Sequence, residues 1–348
     1  MKKILIFLML ILLSGVFLLR PVEARALRDA EAGLPANYNP EKIFYLSEAF
    51  EKKGLESVIK NADKIDILAP QFFAVTSKMK IAGKFDNNLK AVIKEKNLKV
   101  MPLIVNAGFS QSVMHKLLVS PKDQQAVITG LIYIAKKNNY IGWQFDFENI
   151  SYLDKDLYSA FVEKAAAGLK KNGFILSVAA VSRSVDYENT NAFKNWGGVF
   201  DYARIAKAVD FISLMTYDDS EPLGPTASLP FLDRVLAYVK DKIPAEKLSM
   251  GIPFYYWGWQ QTPYKRISSG SYSLVEYTMQ NFSHLKDFDA KMGVSWLTYS
   301  FNNKNYKIWY EDQRSFNIKL DVVKKNNFRG FSAWVLGQED PAIWNSLQ

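Results

Sequence analysis

Short apolar runs rich in β-branched and aromatic residues alternate along this chain with longer amphipathic stretches. Eight of the short runs have the length and composition of β-strands: 42–47, 65–75, 99–106, 142–148, 174–182, 211–218, 248–256 and 330–336. Helical periodicity covers 55–64, 121–137, 153–171, 202–208, 231–242 and 316–325. Ser120 and Pro121 are placed to begin the second of these helices, because serine caps helix N-termini and proline suits the first turn.

This alternation of strands and helices predicts a parallel sheet, because each helical crossover returns the chain to the same end of the sheet. Eight such units favour an α/β fold, a closed (β/α)8 TIM barrel. A doubly wound open sheet is the alternative fold, but no glycine-rich phosphate loop follows an early strand. Residues 258–312 are too many for an ordinary connection and are rich in aromatics, so we expect a small α+β insertion after the seventh strand.

The fourth predicted strand, 142–148, carries polar residues at every second position. Gln144, Asp146 and Glu148 share one face, while the aromatic residues between them share the other. In a barrel the aromatic face packs against the helices and the polar face points inward, where an unpaired carboxylate costs roughly several kcal/mol. Glu148 would lie at the strand's C-terminal end, where barrel active sites lie.

Two carboxyls this close raise the pKa of one partner, which favours a protonated general acid. The alternative is a buried polar network or an ion pair with a lysine, with no catalytic role.

The sequence GWQFDFEN resembles the strand-4 signature of family 18 glycoside hydrolases, the chitinases and their relatives. That signature is written Asp-Gly-x-Asp-x-Asp-x-Glu, and Gly142, Asp146 and Glu148 match it. Ile141 and Gln144 stand where the signature has its first two aspartates. Branches of the family that act on bacterial peptidoglycan are similar in carrying an amide at the position of Gln144, so the resemblance implies that activity tolerates it.

Two further motifs are similar to those of the same family and follow in the expected order. LMTYDD contains Met215, Tyr217 and Asp218, and GFSAWVLGQED contains Trp334 at the end of the last predicted strand. The family's third-strand motif is poorly matched by VNAGF, so Asn106 is only a weak candidate for the site. The three stronger motifs are spread over most of the chain, at the spacing expected of strands in a barrel.

The resemblance implies a retaining reaction assisted by the substrate's own 2-acetamido group, an exception to the two-carboxylate scheme. Glu148 would be the acid and then the base, Asp146 would orient the acetamido group, and Tyr217 would hold its carbonyl. The expected substrate-binding residues are Gln144, Met215, Asp218, Trp257 and Trp334.

The predicted function is hydrolysis of β-linked N-acetylglucosaminides in peptidoglycan-like or chitin-like glycans. Indole rings suit this substrate because they stack on the C–H faces of sugars. The alternative is a catalytically inactive, chitinase-like glycan-binding protein. Such relatives usually lose the acidic glutamate, and Glu148 is present.

Composition narrows the possible partners and cofactors. The chain has no cysteine, which excludes disulfides, a thiol nucleophile and thiolate metal sites. His115 and His284 lie in unrelated segments without metal-ligand spacing, so we expect no metal and no cofactor. The net charge of +9 suits an anionic polymer such as a cell-wall glycan, or it reflects a solvated basic surface. No arginine-rich stripe points to nucleic acid.

The N-terminus has the pattern of a secretory signal peptide. Two lysines precede an apolar run, and Ala24-Arg25-Ala26 is a small-x-small cleavage site. We therefore expect a signal peptide over 1–26 and a mature barrel domain over 27–348, secreted or periplasmic, monomeric and not inserted in a membrane. The alternative is an uncleaved membrane anchor, although the apolar run is short of the roughly 20 residues that a spanning helix needs.

Overall fold

The computed structural model describes residues 38–347, so the predicted signal peptide lies outside the described residues. The strands of the described part are, in chain order, β1 (Glu41–Ser47), β2 (Ile67–Val75), β3 (Ile81–Ala82), β4 (Leu103–Asn106), β5 (Gly142–Phe145), β6 (Ile175–Val181), β7 (Phe211–Met215), β8 (Leu248–Pro253), β9 (Tyr256–Gln261), β10 (Tyr264–Gly270), β11 (His284–Asp289), β12 (Val294–Phe301), β13 (Lys304–Tyr310) and β14 (Gly330–Trp334).

Eight of these strands form a closed parallel barrel in the order β1, β2, β4, β5, β6, β7, β8 and β14. The barrel closes because β1 pairs with both β2 and β14: Ile43 lies opposite Ile67 on one side and Ser332 on the other. The two-residue strand β3 pairs antiparallel with β2. The predicted (β/α)8 barrel is therefore confirmed.

The helices of residues 38–347 are α1 (Glu51–Asn61), α2 (Asn87–Glu95), α3 (Gln111–Leu118), α4 (Pro121–Asn138), α5 (Lys155–Lys170), α6 (Tyr202–Ala208), α7 (Leu229–Val239), α8 (Tyr272–Asn281) and α9 (Gln313–Lys325). Ser120 caps α4 as predicted, accepting a hydrogen bond from the Asp123 amide at 3.3 Å. The pattern missed α2 and α3. None of the helices described is long and apolar enough to span a bilayer.

The insertion lies where it was expected, between the seventh barrel strand, β8, and the eighth, β14. It is an antiparallel sheet in the order β10, β9, β13, β12, β11, with α8 between β10 and β11. One face of this sheet packs against α8 through a cluster that includes Val275, Leu297 and Ile308. The predicted strand 248–256 is in fact two: β8 ends at Pro253, and β9 begins the insertion.

The aromatic face of β5 and the residues after it pack outward, as the alternation predicted. The Trp143 indole is fully buried and donates a hydrogen bond to the Leu131 carbonyl of α4 at 3.0 Å. Phe145 stacks on Phe161 of α5 with ring centroids 5.6 Å apart. Strand β6 passes so close that a Cβ at Gly142 would lie 2.1 Å from the Ile175 carbonyl oxygen. This packing fixes the position of β5 against its neighbours, and therefore how deep in the barrel its inward-pointing polar side chains lie.

Candidate active site

Two carboxyls follow the C-terminal end of β5. Strand β5 ends at Phe145, three residues earlier than predicted, although the Asp146 amide still donates to the Ile104 carbonyl of β4 at 3.0 Å. Asp146 is 4% exposed, and its Oδ2 accepts a hydrogen bond from Nε2 of Gln71 at 2.7 Å. Glu148 lies nearer the surface and lines a cleft of about 400 Å³ at the barrel mouth.

The two carboxyls are close enough to influence each other's pKa, and the pKa of Glu148 is raised more than that of Asp146. Burial raises the pKa of Asp146, and Gln71 opposes that shift by donating to its carboxylate. Burial raises the pKa of Glu148 further, helped by the negative charges of Asp146 and Asp218. Glu148 therefore keeps its proton near neutral pH, in the state that a general acid requires.

Asn106, at the end of β4, positions the backbone of Glu148. Its Oδ1 accepts from the Glu148 amide at 3.0 Å, and its Nδ2 donates to the Glu148 carbonyl at 2.9 Å. The next residue, Asn149, turns the chain in the left-handed conformation (φ 51°), which asparagine adopts more readily than most residues. The weak sequence candidate Asn106 is thus a positioning residue whose side chain is fully buried.

Tyr217 and Asp218 follow the end of β7, at the same mouth of the barrel. Tyr217 is packed edge-on against Tyr255, with ring centroids 6.2 Å apart, and burial raises its pKa. A Cβ at Gly251 would lie 2.9 Å from the Tyr217 ring, so glycine leaves room for it. Asp218 adopts a left-handed conformation (φ 63°) and accepts a hydrogen bond from the Tyr255 hydroxyl at 2.5 Å.

Two clefts meet at this point of the barrel mouth. The first, here the Glu148 cleft, is also lined by Met215 and Tyr217. The second, here the Trp257–Trp334 cleft, has a volume of about 830 Å³ and lies toward the insertion. Asp218 lines both clefts, so the two form one groove that passes the carboxyl pair.

Trp334 ends β14 and places its indole 5.4 Å from the Tyr45 ring, measured between ring centroids. Trp257 lies on β9 and is 5% exposed, with its ring along the same cleft. The structure therefore brings these two predicted substrate-binding residues to one cleft, from a barrel strand and from the insertion.

Gln144 differs from its sequence-based assignment to substrate binding, because its side chain is fully buried beneath the mouth. Its Oε1 accepts from the Tyr45 hydroxyl at 2.7 Å. Its Nε2 donates to the hydroxyls of Ser177 at 2.8 Å and Ser213 at 2.9 Å. All of its polar atoms are thus paired with protein groups, which makes Gln144 a positioning residue at the centre of a polar layer inside the barrel.

Sequence reasoning missed Gln71, which donates directly to Asp146. The available signal was a single amide in the otherwise apolar run ILAPQFFAV of β2. It also missed the role of Tyr255, because nothing in the local pattern around this residue indicates a contact with Asp218. That contact joins two loops that are distant in sequence.

Relatives of known sequence share most of this chain. The uncharacterized glycosylase YvbX of Bacillus subtilis (strain 168) is 27% identical over 308 residues, which cover 84% of this chain and 86% of YvbX. The cortical fragment-lytic enzyme of the same organism is 27% identical over 270 residues, which cover 74% of this chain. The chain spans only 61% of that enzyme's length.

Solved structures show the same fold. The spore cortex-lytic enzyme SleL of Bacillus megaterium QM B1551 has a TM-score of 0.79 and 25% identity, with 90% of this chain and 74% of SleL covered. A chitinase from Chromobacterium violaceum ATCC 12472 has a TM-score of 0.79 and 21% identity, with 88% and 98% covered, which shows the fold alone.

The family described as glycosyl hydrolases family 18 matches residues 41–339. That interval contains the whole barrel, the insertion and all the candidate site residues. The match therefore confirms the resemblance that the three short motifs indicated, and it makes the protein a glycosidase rather than a member of an unrelated barrel family. This chain belongs to family 18 of the glycosyl hydrolases.

Proposed function

We propose that this glycosidase cleaves β-linked N-acetylglucosaminides, in peptidoglycan-like or chitin-like glycans, with retention of anomeric configuration. The observation that carries the proposal is the Glu148 carboxyl, which lines the cleft beside Tyr217, with the buried Asp146 carboxyl two residues earlier in the chain. A protonated carboxyl at the groove and a second carboxyl one pleat deeper suit a reaction in which the substrate supplies its own nucleophile.

In the first step, Glu148 donates its proton to the glycosidic oxygen as the bond to the leaving sugar breaks. The acetamido oxygen of the remaining sugar attacks the anomeric carbon and closes an oxazolinium ring. Asp146 accepts a hydrogen bond from the acetamido N–H and stabilises the positive charge that forms. Gln71 holds Asp146 in place for this role through the hydrogen bond at 2.7 Å.

In the second step, Glu148, now ionised, removes a proton from water. The water attacks the anomeric carbon from the side that the leaving sugar vacated, and the bond from that carbon to the acetamido oxygen breaks, so that the acetamido group is restored. Retention results, and Glu148 regains its proton. The Tyr217 hydroxyl donates to the acetamido carbonyl oxygen and keeps it near the anomeric carbon. Its raised pKa keeps the hydroxyl protonated as a donor.

The groove supplies the contacts that hold the sugars. Trp334 offers an indole face in the cleft that Trp257 also lines, and Met215 lies in the other cleft. Asp218 lies between the two clefts and is available to a sugar hydroxyl. Gln144 lies beneath the groove and holds Tyr45 through a hydrogen bond. The Tyr45 ring in turn contacts the Trp334 indole.

Substrate and location follow from the relatives as proposals. Similarity to a cortical fragment-lytic enzyme and to a spore cortex-lytic enzyme favours a bacterial wall glycan. Such a substrate lies outside the cytoplasmic membrane, which agrees with the signal peptide predicted over 1–26. We propose that the secreted or periplasmic protein acts as a monomer.

Glu148→Gln tests the reaction. We expect this variant to lose at least about a thousandfold in kcat for release of a fluorophore from N-acetylglucosamine oligomers, because the amide cannot donate the proton. Glu95→Gln, on the exposed surface of α2, is the matched control and should retain activity.

Circular dichroism and the melting temperature show whether the Glu148→Gln fold is intact. Near-normal turnover by a folded Glu148→Gln protein would contradict the proposal. Proton NMR of the first product formed would show the retained β-anomer, whereas an α-anomer would exclude the substrate-assisted route.

A further inference from the structure

The insertion presents one face that carries tryptophans and cations. In the antiparallel register, Trp257 lies opposite Trp309, and Trp259 lies opposite both Lys307 and Arg266. Directly paired residues share a face of the sheet. The register also adds Trp296, which lies opposite Trp309. We call this set the tryptophan face: Trp257, Trp259, Arg266, Trp296, Lys307 and Trp309.

The tryptophan face turns toward the barrel mouth. The indole of Trp259 donates to the Gly224 carbonyl at 2.8 Å, and the indole of Trp309 donates to the Leu223 carbonyl at 2.6 Å. Both carbonyls belong to the loop after β7 that also carries Asp218. The opposite face of the sheet is covered by α8. Arg266, a cation on the tryptophan face, therefore lies beside the groove.

Arg266 is the cation that lines the groove. Its guanidinium carbon lies 4.3 Å from the centroid of the Trp257 ring, and both residues line the Trp257–Trp334 cleft. Arg266 forms no direct ion pair with any residue in the described part of the chain. Burial raises the pKa of Asp218 and the charge of Arg266 acts to lower it, but the side-chain hydrogen bond that Asp218 accepts comes from Tyr255. An arginine placed over an indole, with no ion pair to a carboxylate of the described residues, is available to an anion in the cleft.

We propose that Arg266 makes the enzyme select glycans that carry a carboxylate on the sugar seated in the Trp257–Trp334 cleft. This inference rests on the proposed function and narrows its substrate class. The carboxylate comes from a lactyl ether on an N-acetylated hexosamine, or from a peptide attached to that ether. A planar guanidinium binds a carboxylate through two parallel hydrogen bonds, which a neutral sugar cannot match.

Charge elsewhere in the molecule agrees with this assignment. A second cation of the tryptophan face, Lys307, lies 3.6 Å from the Trp309 ring centroid and extends the positive charge along the insertion. Residues 1–26 carry four positive charges and one negative charge, so the net charge of +9 becomes +6 without them, which still favours an anionic polymer over a neutral one. A neutral chain of N-acetylglucosamine gives neither cation a partner.

The test compares two substrates that differ in the charge of the lactyl group. Peptide-free strands of alternating N-acetylglucosamine and N-acetylmuramic acid carry free lactyl carboxylates, and the same strands after conversion to methylamides do not. We expect the ratio of kcat/KM for the anionic strands to that for the neutral strands to fall roughly tenfold in Arg266→Gln, because a charge-assisted hydrogen bond is lost. Arg266→Lys, which keeps the charge, should restore part of the ratio. Peptide-bearing strands distinguish a lactyl carboxylate from a peptide carboxylate.

Lys265→Gln is the matched control. It removes one positive charge from the same strand, but Lys265 lies opposite Gln260, on the other face of the sheet. The ratio should therefore stay at the wild-type value. An unchanged ratio in Arg266→Gln, or an equal fall in Lys265→Gln, would overturn the proposal.

Binding separates this inference from the proposed function. Tryptophan fluorescence measures the affinity of Glu148→Gln, with and without Arg266→Gln, for the anionic and neutral strands. A roughly tenfold loss confined to the anionic strands supports the role of Arg266 even if wild-type enzyme cleaves neither strand, an outcome that contradicts the proposed reaction alone. Equal affinities for both strands, whatever the residue at 266, would refute the selection.

Discussion

The two faces of segment 142–148 differ in what surrounds them and in what they do. On the outer face, Trp143, Phe145 and Phe147 are fully buried among helix side chains. On the inner face, Asp146 is buried and Glu148 is half-buried, and the pKa values of both carboxyls are raised. One short segment thus stabilises the fold through one face and performs chemistry with the other.

The two faces have opposite effects on the stability of the fold: the outer face stabilises it, and the inner face destabilises it. Burying aromatic rings stabilises the fold by about 25 cal/mol for each Å² removed from water. A carboxyl whose pKa is raised in the folded state disfavours folding at any pH where it would ionise in the unfolded chain. We infer that the apolar face offsets the destabilising effect of the reactive face, a relation that is common at active sites.

The largest expected effect concerns the outer face. Phe145→Ala removes a ring that stacks on Phe161 and contacts Phe147, with centroids 5.6 Å and 4.9 Å away. We expect the free energy of unfolding to fall by about 3–5 kcal/mol, as for other buried phenylalanines. Urea unfolding followed by tryptophan fluorescence measures this loss.

The pH dependence of kcat/KM should be unchanged in the fraction of Phe145→Ala that remains folded. A shifted profile would show that the outer face also sets the pKa values of the reactive carboxyls, and the division between the two faces would fail.

On the inner face, Asp146→Asn should lower kcat by about 100- to 1000-fold, because the amide cannot stabilise the positive charge of the oxazolinium ion. Removing the Asp146 charge also lowers the pKa of Glu148, although burial still holds it above its usual value. The alkaline limb of the kcat/KM profile should therefore move to lower pH. Measuring the residual activity from pH 4 to 10 tests the direction, and a limb at higher pH would be inconsistent with repulsion between the two carboxyls.

Gln144→Leu tests the polar layer beneath the site. It leaves the Tyr45, Ser177 and Ser213 hydroxyls without their amide partner, all in a fully or nearly fully buried setting. We expect the free energy of unfolding to fall by about 1–3 kcal/mol. Chemical denaturation measures the loss, with Gln125→Leu on the surface of α4 as the control. A loss no larger than that of the control would show that the layer carries little stability.

The smallest expected effect is a gain in stability rather than a loss, and it concerns Glu148→Gln. The folded-state pKa of Glu148 is raised, so the wild-type fold loses stability as the pH rises from the carboxyl's unfolded pKa toward its folded pKa. Glu148→Gln cannot ionise and should be more stable by about 1 kcal/mol at neutral and alkaline pH. The advantage should vanish below the unfolded pKa, where both proteins are uncharged at this position. Paired urea titrations at pH 4 and pH 8 would reveal it, and equal stability at both pH values would argue against the raised pKa.

The sequence could predict whatever depends on local periodicity. Alternation along 142–148 correctly separated the outward aromatics from the inward Gln144, Asp146 and Glu148, because side chains of a strand point to opposite faces in turn. The regular order of strands and helices likewise predicted the barrel, and an overlong aromatic connection predicted the insertion. The bounds of β5 were less well predicted, because a strand ends where its neighbours stop pairing with it, and that depends on β4 and β6.

Only the tertiary structure decided which distant side chains meet. The hydrogen bond from Gln71 to Asp146 requires β2 and β5 to be brought to the same barrel mouth across β4, and the Asn106 contacts with Glu148 require the register of β4 against β5. The position of Arg266 on Trp257 depends on the pairing of β9 with β10 inside the insertion. Periodicity is a property of neighbouring residues, whereas register, barrel closure and docking of the insertion depend on contacts between segments far apart in the chain. The sequence by itself therefore determined which carboxyls face inward, and the tertiary structure decided which partners hold them and which cation lies beside the substrate groove.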